Sequence, residues 1–187
     1  MEAIYAIDSQ NGLSKEGIIP WKSKKDMLFF INKTKNNVVI MGRITYFSIP
    51  EEHRPLKHRL NIVLTHCSEY IQRDVIFSSN SEIYQDVLLS REKYCELYPY
   101  LRKDYKIFVI GGKNIFEQFI PLCSVIWITQ FKNDYKCDLF MDYDYSNRSD
   151  YSNRSDYSNR SDYHHCYDEE LYDEDDELSI TKLSTVN

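Results

Sequence analysis

The chain has 187 residues and a formal net charge of −6 at pH 7, and 42% of its residues are hydrophobic. This length and composition suit one domain with a substantial core. A membrane partner is not expected, because no apolar run approaches the roughly 18 residues that a membrane-spanning helix needs. The first ten residues lack the basic stretch and long apolar segment of a secretory signal, so we expect a cytoplasmic location.

Residues 1–143 alternate between strand-like and helix-like segments. Apolar runs rich in Ile and Val predict strands at 3–7, 38–41, 60–64, 75–77, 107–110 and 125–129. Helices are predicted at 24–35, from Thr45 onward, at 81–89 and at 113–119. In the first helix, i, i+3, i+4 spacing places one set of side chains on one side: Met27, Phe30, Ile31 and Thr34. The alternation predicts an α/β domain with a mainly parallel central sheet flanked by helices.

The composition changes after residue 143. Residues 145–162 are three copies of Tyr-Ser-Asn-Arg-Ser-Asp, and eight of the ten residues at 168–177 are acidic. Because a polar repeat buries little and a run of carboxylates repels itself, we expect 144–177 to be disordered. Residues 178–187 are expected to form a tail or a final edge strand, since 178–183 partly alternate between apolar and polar.

Charge distribution and cysteine spacing argue against nucleic acid and metal as partners. Residues 144–187 hold 12 of the 29 acidic residues and 4 of the 23 basic ones, so residues 1–143 carry a net charge of +2. This faintly basic body favours a small anionic ligand, because nucleic-acid binding usually needs a concentrated basic patch. Five cysteines without CxxC spacing predict free thiols. We expect no metal site, including at His164-His165-Cys166.

Two strand-to-helix turns share one design. The first reads Val38-Val-Ile-Met-Gly42-Arg43-Ile-Thr45 and the second Ile107-Phe-Val-Ile-Gly111-Gly112-Lys113-Asn114. A helix N-terminus offers free N–H groups to phosphate, and glycine lets the backbone approach it. One such turn alone is more often a tight connection, but two of them, one carrying an arginine, favour a dinucleotide site. Neither GxGxxG nor a Walker P-loop is present.

A carboxylate follows a tryptophan at the start of the first predicted helix. Asp26 lies five residues after Trp21 and directly precedes an apolar segment beginning at Met27. Taken alone, Asp26 is typical of a first-turn carboxylate that the helix dipole favours. In an apolar cleft, the same group could bind the amidine-like edge of a heterocycle and assist proton delivery.

Several motifs together resemble the dihydrofolate reductase family over residues 1–143. The quoted segments are Ala6-Ile-Asp-Ser-Gln-Asn-Gly12-Leu13, Gly17-Ile-Ile-Pro20-Trp21, Val39-Ile-Met-Gly42-Arg43-Ile-Thr45-Tyr46, Ser48-Ile-Pro50, Arg54-Pro55-Leu56-Lys-His-Arg59, and Ile110-Gly111-Gly112 with Phe116-Glu117-Gln118. The resemblance implies a catalytic domain at 1–143 that reduces dihydrofolate with NADPH, acting as a monomer without nucleic-acid or membrane partners.

The resemblance also implies roles for single residues. Asp26 would hold the 2-amino group and N3 of the pteridine and support protonation at N5, and Trp21 would anchor a water nearby. Arg59 would pair with the α-carboxylate of the glutamate tail, for which its bidentate fork is suited. Gly12 to Gly17 would form a mobile loop over the nicotinamide. The implied substrate-binding residues are Ile4, Ala6, Met27, Phe30, Ile49, Leu56, Arg59, Ile110 and Thr129. The implied cofactor-binding residues are Ala6, Gly12, Leu13, Gly42, Arg43, Ile44, Thr45, Leu64, Thr65, His66, Gly111, Gly112, Lys113, Asn114, Ile115 and Phe116.

The chain departs from the family pattern at several places. Tyr5 is bulky for the first strand, and Phe116 stands where the family generally has tyrosine. The family closes its sheet with two further strands, and the sequence does not indicate both of them after the repeats. Two alternatives therefore stay open: a related NADPH-dependent pyrimidine reductase, and a catalytically decayed protein of the same fold that binds folate or a nucleotide.

Overall fold

A computed structural model describes residues 1–66, 72–141 and 167–186. In chain order the strands are β1 (Glu2–Ile7), β2 (Gly12–Ser14), β3 (Val38–Gly42), β4 (Leu60–Leu64), β5 (Val75–Ser78), β6 (Ile107–Val109), β7 (Val125–Phe131), β8 (Leu139–Phe140), β9 (Tyr167–Glu174) and β10 (Leu178–Thr185). The α-helices are α1 (Lys24–Thr34), α2 (Arg43–Ser48), α3 (Ile83–Leu89), α4 (Arg91–Leu97) and α5 (Lys113–Phe119).

The chain forms two compact units. One consists of Met1–Tyr5 and Trp21–Cys123, and the other of Ala6–Pro20 and Ser124–Asn187. β1 passes from the first unit into the second. Across residues 1–66, 72–141 and 167–186, each helix is too short or too polar to span a bilayer.

The first unit is built on parallel strands in the order β5-β4-β3-β6-β1. Val38 of β3 pairs with Leu60 of β4 on one side and with Ile107 of β6 on the other. The β3 side chains from Val38 to Met41 are fully buried. Strands that are covered on both faces read as continuous apolar runs rather than alternating ones. The predicted α/β class with a mainly parallel sheet is confirmed.

Local signals set the helix boundaries in this unit. Ser23 caps α1, because its side-chain oxygen accepts a hydrogen bond from the Asp26 N–H. α3 begins two residues later than expected, at Ile83. The sequence did not predict α4, a short helix that directly follows α3. Four of its seven residues are exposed, whereas Tyr94 is buried.

The second unit contains antiparallel strands. β10 pairs with β7 on one side and with β9 on the other, and β2 pairs with β8. Leu178, Ile180 and Leu183 of β10 are at most 1% exposed, which explains the partial alternation seen in the sequence. The strand expected at 178–183 is therefore present, but it is flanked on both sides rather than at an edge.

The prediction of disorder over 144–177 is wrong for residues 167–174, which form β9. The carboxylates of β9 are exposed to solvent, so the strand pairs its backbone with β10 without burying charge. Lys182 lies 2.9 Å from Glu170, and Lys132 lies 2.8 Å from Glu174, which offsets part of the repulsion. Two closing strands, β9 and β10, are thus present, although the sequence indicated a strand only at 178–183. The hexapeptide repeats lie outside the described residues.

Candidate active site

Arg59 is a buried arginine that has no ion-pair partner among the described residues. Its side chain is 6% exposed, and its guanidinium carbon lies 5.6 Å from the centre of the Phe30 ring. The Nε atom has no hydrogen-bond partner within that part of the chain. Burial lowers the pKa of Arg59, but a guanidinium remains charged at neutral pH. Because a buried cation without a counter-charge is costly, this position suits an anionic group of a ligand.

Asp26 lies in the first turn of α1, next to apolar side chains that are exposed to solvent. It is half-buried, whereas Met27 and Leu28 are 56% and 48% exposed. Trp21, shortly before the helix, is 5% exposed. Exposed apolar side chains next to a carboxylate are typical of a ligand-binding surface that has a few polar groups for orientation.

The two glycine-containing turns lie against each other at the starts of α2 and α5. The Gly42 N–H donates a hydrogen bond to the Gly111 carbonyl oxygen at 2.7 Å. Gly111 has a φ of +112°, and a Cβ there would lie 3.1 Å from the Phe116 ring. A Cβ on Gly112 would lie 3.1 Å from the Thr45 hydroxyl oxygen. The positive φ and the tight space therefore favour glycine at Gly111, and the tight space favours it at Gly112. The turns leave the first-turn N–H groups of two helices near one another.

Two departures from the family pattern contact each other. The rings of Tyr5 and Phe116 lie 5.1 Å apart and are tilted by 54°. Both side chains are buried, at 7% and 3% exposure. The larger residue on β1 thus packs on the phenylalanine of α5, and the same phenylalanine covers Gly111.

In the second unit, two aspartates organise the segment from Gln10 to Gly17. Asp8 is fully buried, and its Oδ1 accepts hydrogen bonds from the N–H groups of Gln10 and Gly12 at 2.9 and 2.8 Å. Its Oδ2 accepts one from Tyr135 N–H at 3.1 Å. Burial acts to raise the pKa of Asp8, but the three backbone hydrogen bonds together with one from the Cys137 side chain outweigh it and leave the pKa lowered.

Asp138 fixes the same segment further along. Its Oδ2 accepts a hydrogen bond from the Glu16 N–H at 2.7 Å, and its own N–H donates to the Ser14 carbonyl oxygen at 3.0 Å. The loop from Gly12 to Gly17, which the resemblance places over the nicotinamide, is therefore hydrogen-bonded near both of its ends to residues of its own unit.

Comparison with known proteins decides the family. The family model described as dihydrofolate reductase matches residues 1–173. The chain belongs to the dihydrofolate reductase family. The dihydrofolate reductase of Ureaplasma parvum is 31% identical over 147 residues, which cover 79% of this chain and 85% of that protein.

Other relatives are longer than this chain. The bifunctional dihydrofolate reductase-thymidylate synthase of Daucus carota is 35% identical over 149 residues, which cover 75% of this chain. That match spans 28% of the carrot protein's length. Among solved structures, a dihydrofolate reductase from Enterococcus faecalis complexed with NADP(H) and RAB-propyl has a TM-score of 0.66 and 23% identity, with 100% of this chain and 96% of that chain covered. This likeness supports the dihydrofolate reductase fold.

Most of the substrate-binding residues expected for a dihydrofolate reductase lie in the first unit. Ile4 and Arg59 are buried and Met27 is exposed, while Phe30, Ile49, Leu56 and Ile110 are half-buried. Among these, the structure brings Arg59 against Phe30. Ala6 and Thr129 belong to the second unit, where Ala6 is half-buried on β1 and Thr129 is buried on β7.

The expected cofactor-binding residues are also divided between the two units, and most of them lie in the first. Those of the first unit lie at the ends of β3, β4 and β6 and on α2 and α5: Gly42, Arg43, Ile44, Thr45, Leu64, Thr65, His66, Gly111, Gly112, Lys113, Asn114, Ile115 and Phe116. Arg43, Ile44, His66 and Asn114 are exposed, and Lys113 pairs with Glu117 at 3.8 Å. Gly12 and Leu13 lie on β2 in the second unit.

The sequence did not single out several residues that shape these positions. The Arg54 guanidinium donates hydrogen bonds to the carbonyl oxygens of Phe47 and Ile49, both at 3.2 Å. Asn61 and Tyr100 contact the backbone at Arg59. The signal that could have identified Asn61 is a polar residue inside the apolar run of β4, since a buried amide must be hydrogen-bonded.

Proposed function

We propose that this chain reduces 7,8-dihydrofolate to 5,6,7,8-tetrahydrofolate with NADPH. Membership of the dihydrofolate reductase family supports this activity, and the buried, unpaired guanidinium of Arg59 is the observation that carries the substrate assignment. Dihydrofolate ends in a glutamate, whose α-carboxylate offers the counter-charge that the described residues do not supply to Arg59. Bidentate pairing with a carboxylate suits an arginine fork.

Asp26 is proposed to bind the other end of the substrate. In this proposal its carboxylate accepts hydrogen bonds from the 2-amino group and N3 of the pteridine and supports protonation at N5. Trp21 would hold a water for that proton, and the apolar side chains near Asp26 would cover the rings. The proposed lining and covering residues are Ile4, Ala6, Met27, Phe30, Ile49 and Leu56. Ile4 and Ile110 would offer backbone carbonyls, and Thr129 would bond the pterin amino group through a water.

The residues of the two glycine turns fit a dinucleotide. The Gly42 N–H bonds to the Gly111 carbonyl oxygen, and glycine carries no side chain that could keep a phosphate from the nearby backbone N–H groups. Arg43, Thr45, Thr65 and His66 would lie around the adenosine 2′-phosphate and the pyrophosphate, and residues 111–115 would form the pyrophosphate turn. Ala6, Gly12, Leu13, Ile44, Leu64 and Phe116 would complete the binding surface. When bound, NADPH supplies the hydride for the reduction.

The experiment that tests this proposal follows NADPH absorbance after dihydrofolate is added to the purified chain. Consumption of NADPH that requires dihydrofolate supports the proposal. Consumption with an aminopyrimidine substrate instead would favour the related pyrimidine reductase. Binding of folate without consumption of NADPH would favour a decayed binding protein and overturn the proposed activity.

A further inference from the structure

The carbonyl oxygen of Arg59 receives two side-chain hydrogen bonds from different parts of the first unit. Asn61 Nδ2 donates to it at 2.8 Å, and the Tyr100 hydroxyl donates to it at 3.3 Å. A peptide carbonyl has two lone pairs, so both donors can be accommodated. The backbone from which the Arg59 side chain departs is therefore held from two sides.

Asn61 also closes the turn that leads to Arg59. Its Oδ1 accepts a hydrogen bond from the Leu56 N–H at 3.1 Å, and its Nδ2 donates to the Leu56 carbonyl oxygen at 3.0 Å. Asn61 is fully buried on β4, between β3 and β5. The Asn61 side chain thus links Leu56 and Arg59, the two residues of this turn that were expected to bind substrate, to an internal strand of the first unit.

Tyr100 reaches Arg59 from the loop that follows α4. Its hydroxyl also lies 3.2 Å from Asp74 Oδ1, and its ring contacts His58 edge-on at 6.3 Å. Burial, followed by the charge of Asp74, raises the pKa of Tyr100, so its hydroxyl keeps its proton as a donor. Because a hydroxyl has a single proton, its donation is shared between the Arg59 carbonyl and the Asp74 carboxylate.

We propose that Asn61 and Tyr100 are positioning residues that fix the direction of the Arg59 guanidinium and so strengthen binding of the anionic tail of the substrate. This inference rests on the proposed function, in which Arg59 meets a carboxylate. A bidentate pair depends on geometry, so movement of the Arg59 backbone weakens it even though both charges remain.

The test compares two tyrosine variants in one aromatic cluster. Tyr100→Phe removes the hydroxyl that contacts Arg59 and keeps the ring. Tyr98→Phe makes the same chemical change in a residue whose ring lies 6.1 Å from that of Tyr100, and it serves as the matched control. Binding of folate and of a pterin without the glutamate tail is measured by tryptophan fluorescence for the unaltered chain and both variants.

We expect Tyr100→Phe to weaken folate binding by about three- to tenfold, the effect of one neutral hydrogen bond, and to leave tail-free pterin unaffected. Tyr98→Phe should change neither. Asn61→Asp places an acceptor against the carbonyl oxygens of Leu56 and Arg59, so it should weaken folate binding further, again without a matching loss for the tail-free pterin. In a variant that positions Arg59 poorly, KM for dihydrofolate should rise while kcat with the tail-free substrate stays constant.

Equal losses for both ligands in Tyr100→Phe would overturn the positioning role and show a merely structural one. No change for either ligand would overturn it as well. If the unaltered chain binds folate but does not consume NADPH, the proposed activity fails and the binding comparison still decides the positioning role. If the unaltered chain does not bind folate more tightly than the tail-free pterin, Arg59 does not meet the tail carboxylate and the positioning role fails, whatever the NADPH assay shows.

Discussion

The N–H of Gly42, the last residue of β3, donates a 2.7 Å hydrogen bond to the carbonyl oxygen of Gly111, which lies two residues after the end of β6. The bond sets the separation of two turns that are 69 residues apart in the chain. Each turn leads directly into a helix, so the same bond also sets the separation of the starts of α2 and α5. A side chain at Gly42 would crowd Ile115, and one at Gly111 would crowd Phe116, both on α5.

Gly111→Ala should therefore destabilise the chain and weaken NADPH binding. The positive φ is strained for alanine by roughly 1–3 kcal/mol, and crowding against Phe116 adds about 1–3 kcal/mol. Gly17→Ala is the matched control for stability, because Gly17 also has a positive φ, of +75°, but open space around its missing side chain. Urea unfolding of both variants measures the difference. Equal destabilisation would show that φ alone matters and that the crowding at Gly111 does not.

Asp26→Asn should lower turnover strongly at neutral pH while the fold is kept. A positioned acid–base group contributes about 10²–10⁴-fold to a rate, and asparagine cannot support protonation at N5 as a carboxylate does. The loss should be smaller at acid pH, where protonated substrate is available. Steady-state rates between pH 5 and 8, with a melting curve as control, measure this. Unaltered rates at neutral pH would remove Asp26 from the mechanism.

Arg43→Ala should reduce kcat/KM more for NADPH than for NADH. Arg43 is exposed at the start of α2, and the proposed function assigns it to the 2′-phosphate. A hydrogen bond to a charged group contributes roughly 1.5–3 kcal/mol, so the unaltered chain should prefer NADPH by at least about tenfold. Rates with both cofactors measure the preference. An equal loss of kcat/KM with both cofactors would show that Arg43 binds the pyrophosphate or only stabilises the turn.

Asp8→Asn should lower stability at neutral pH and should matter less as the pH falls. The pKa of Asp8 is lowered in the folded chain, so its carboxylate contributes stability above its unfolded pKa of about 3.9 and loses it as the pH drops through the folded value. Asparagine keeps one acceptor oxygen but places an amide against the Tyr135 N–H. Melting temperatures from pH 7 to pH 3 should show the gap between the two chains narrowing. A gap that widens with acid would contradict this assignment.

The sequence predicted the parallel half of the fold well because its strands are buried on both faces and read as apolar runs. β9 was missed because its side chains are almost all charged or exposed, and its strand conformation depends on backbone pairing with β10. The family motifs predicted Arg59, but they did not predict Asn61 or Tyr100. These two act on the backbone of Arg59 from β4 and from a distant loop, and only the folded chain brings them together.

The C-terminal strands should be integral to stability although a compositionally unusual segment precedes them. Ile180 of β10 is 1% exposed and pairs with Thr129 of β7, whereas Leu171 of β9 is 59% exposed. Ile180→Ala should cost about 2–5 kcal/mol, the range for truncating a buried isoleucine. Leu171→Ala makes a comparable truncation on the neighbouring strand and should change stability by less than about 0.5 kcal/mol. Urea unfolding followed by circular dichroism compares the two variants. Similar, small effects would mean that β10 does not contribute to the folded core in solution.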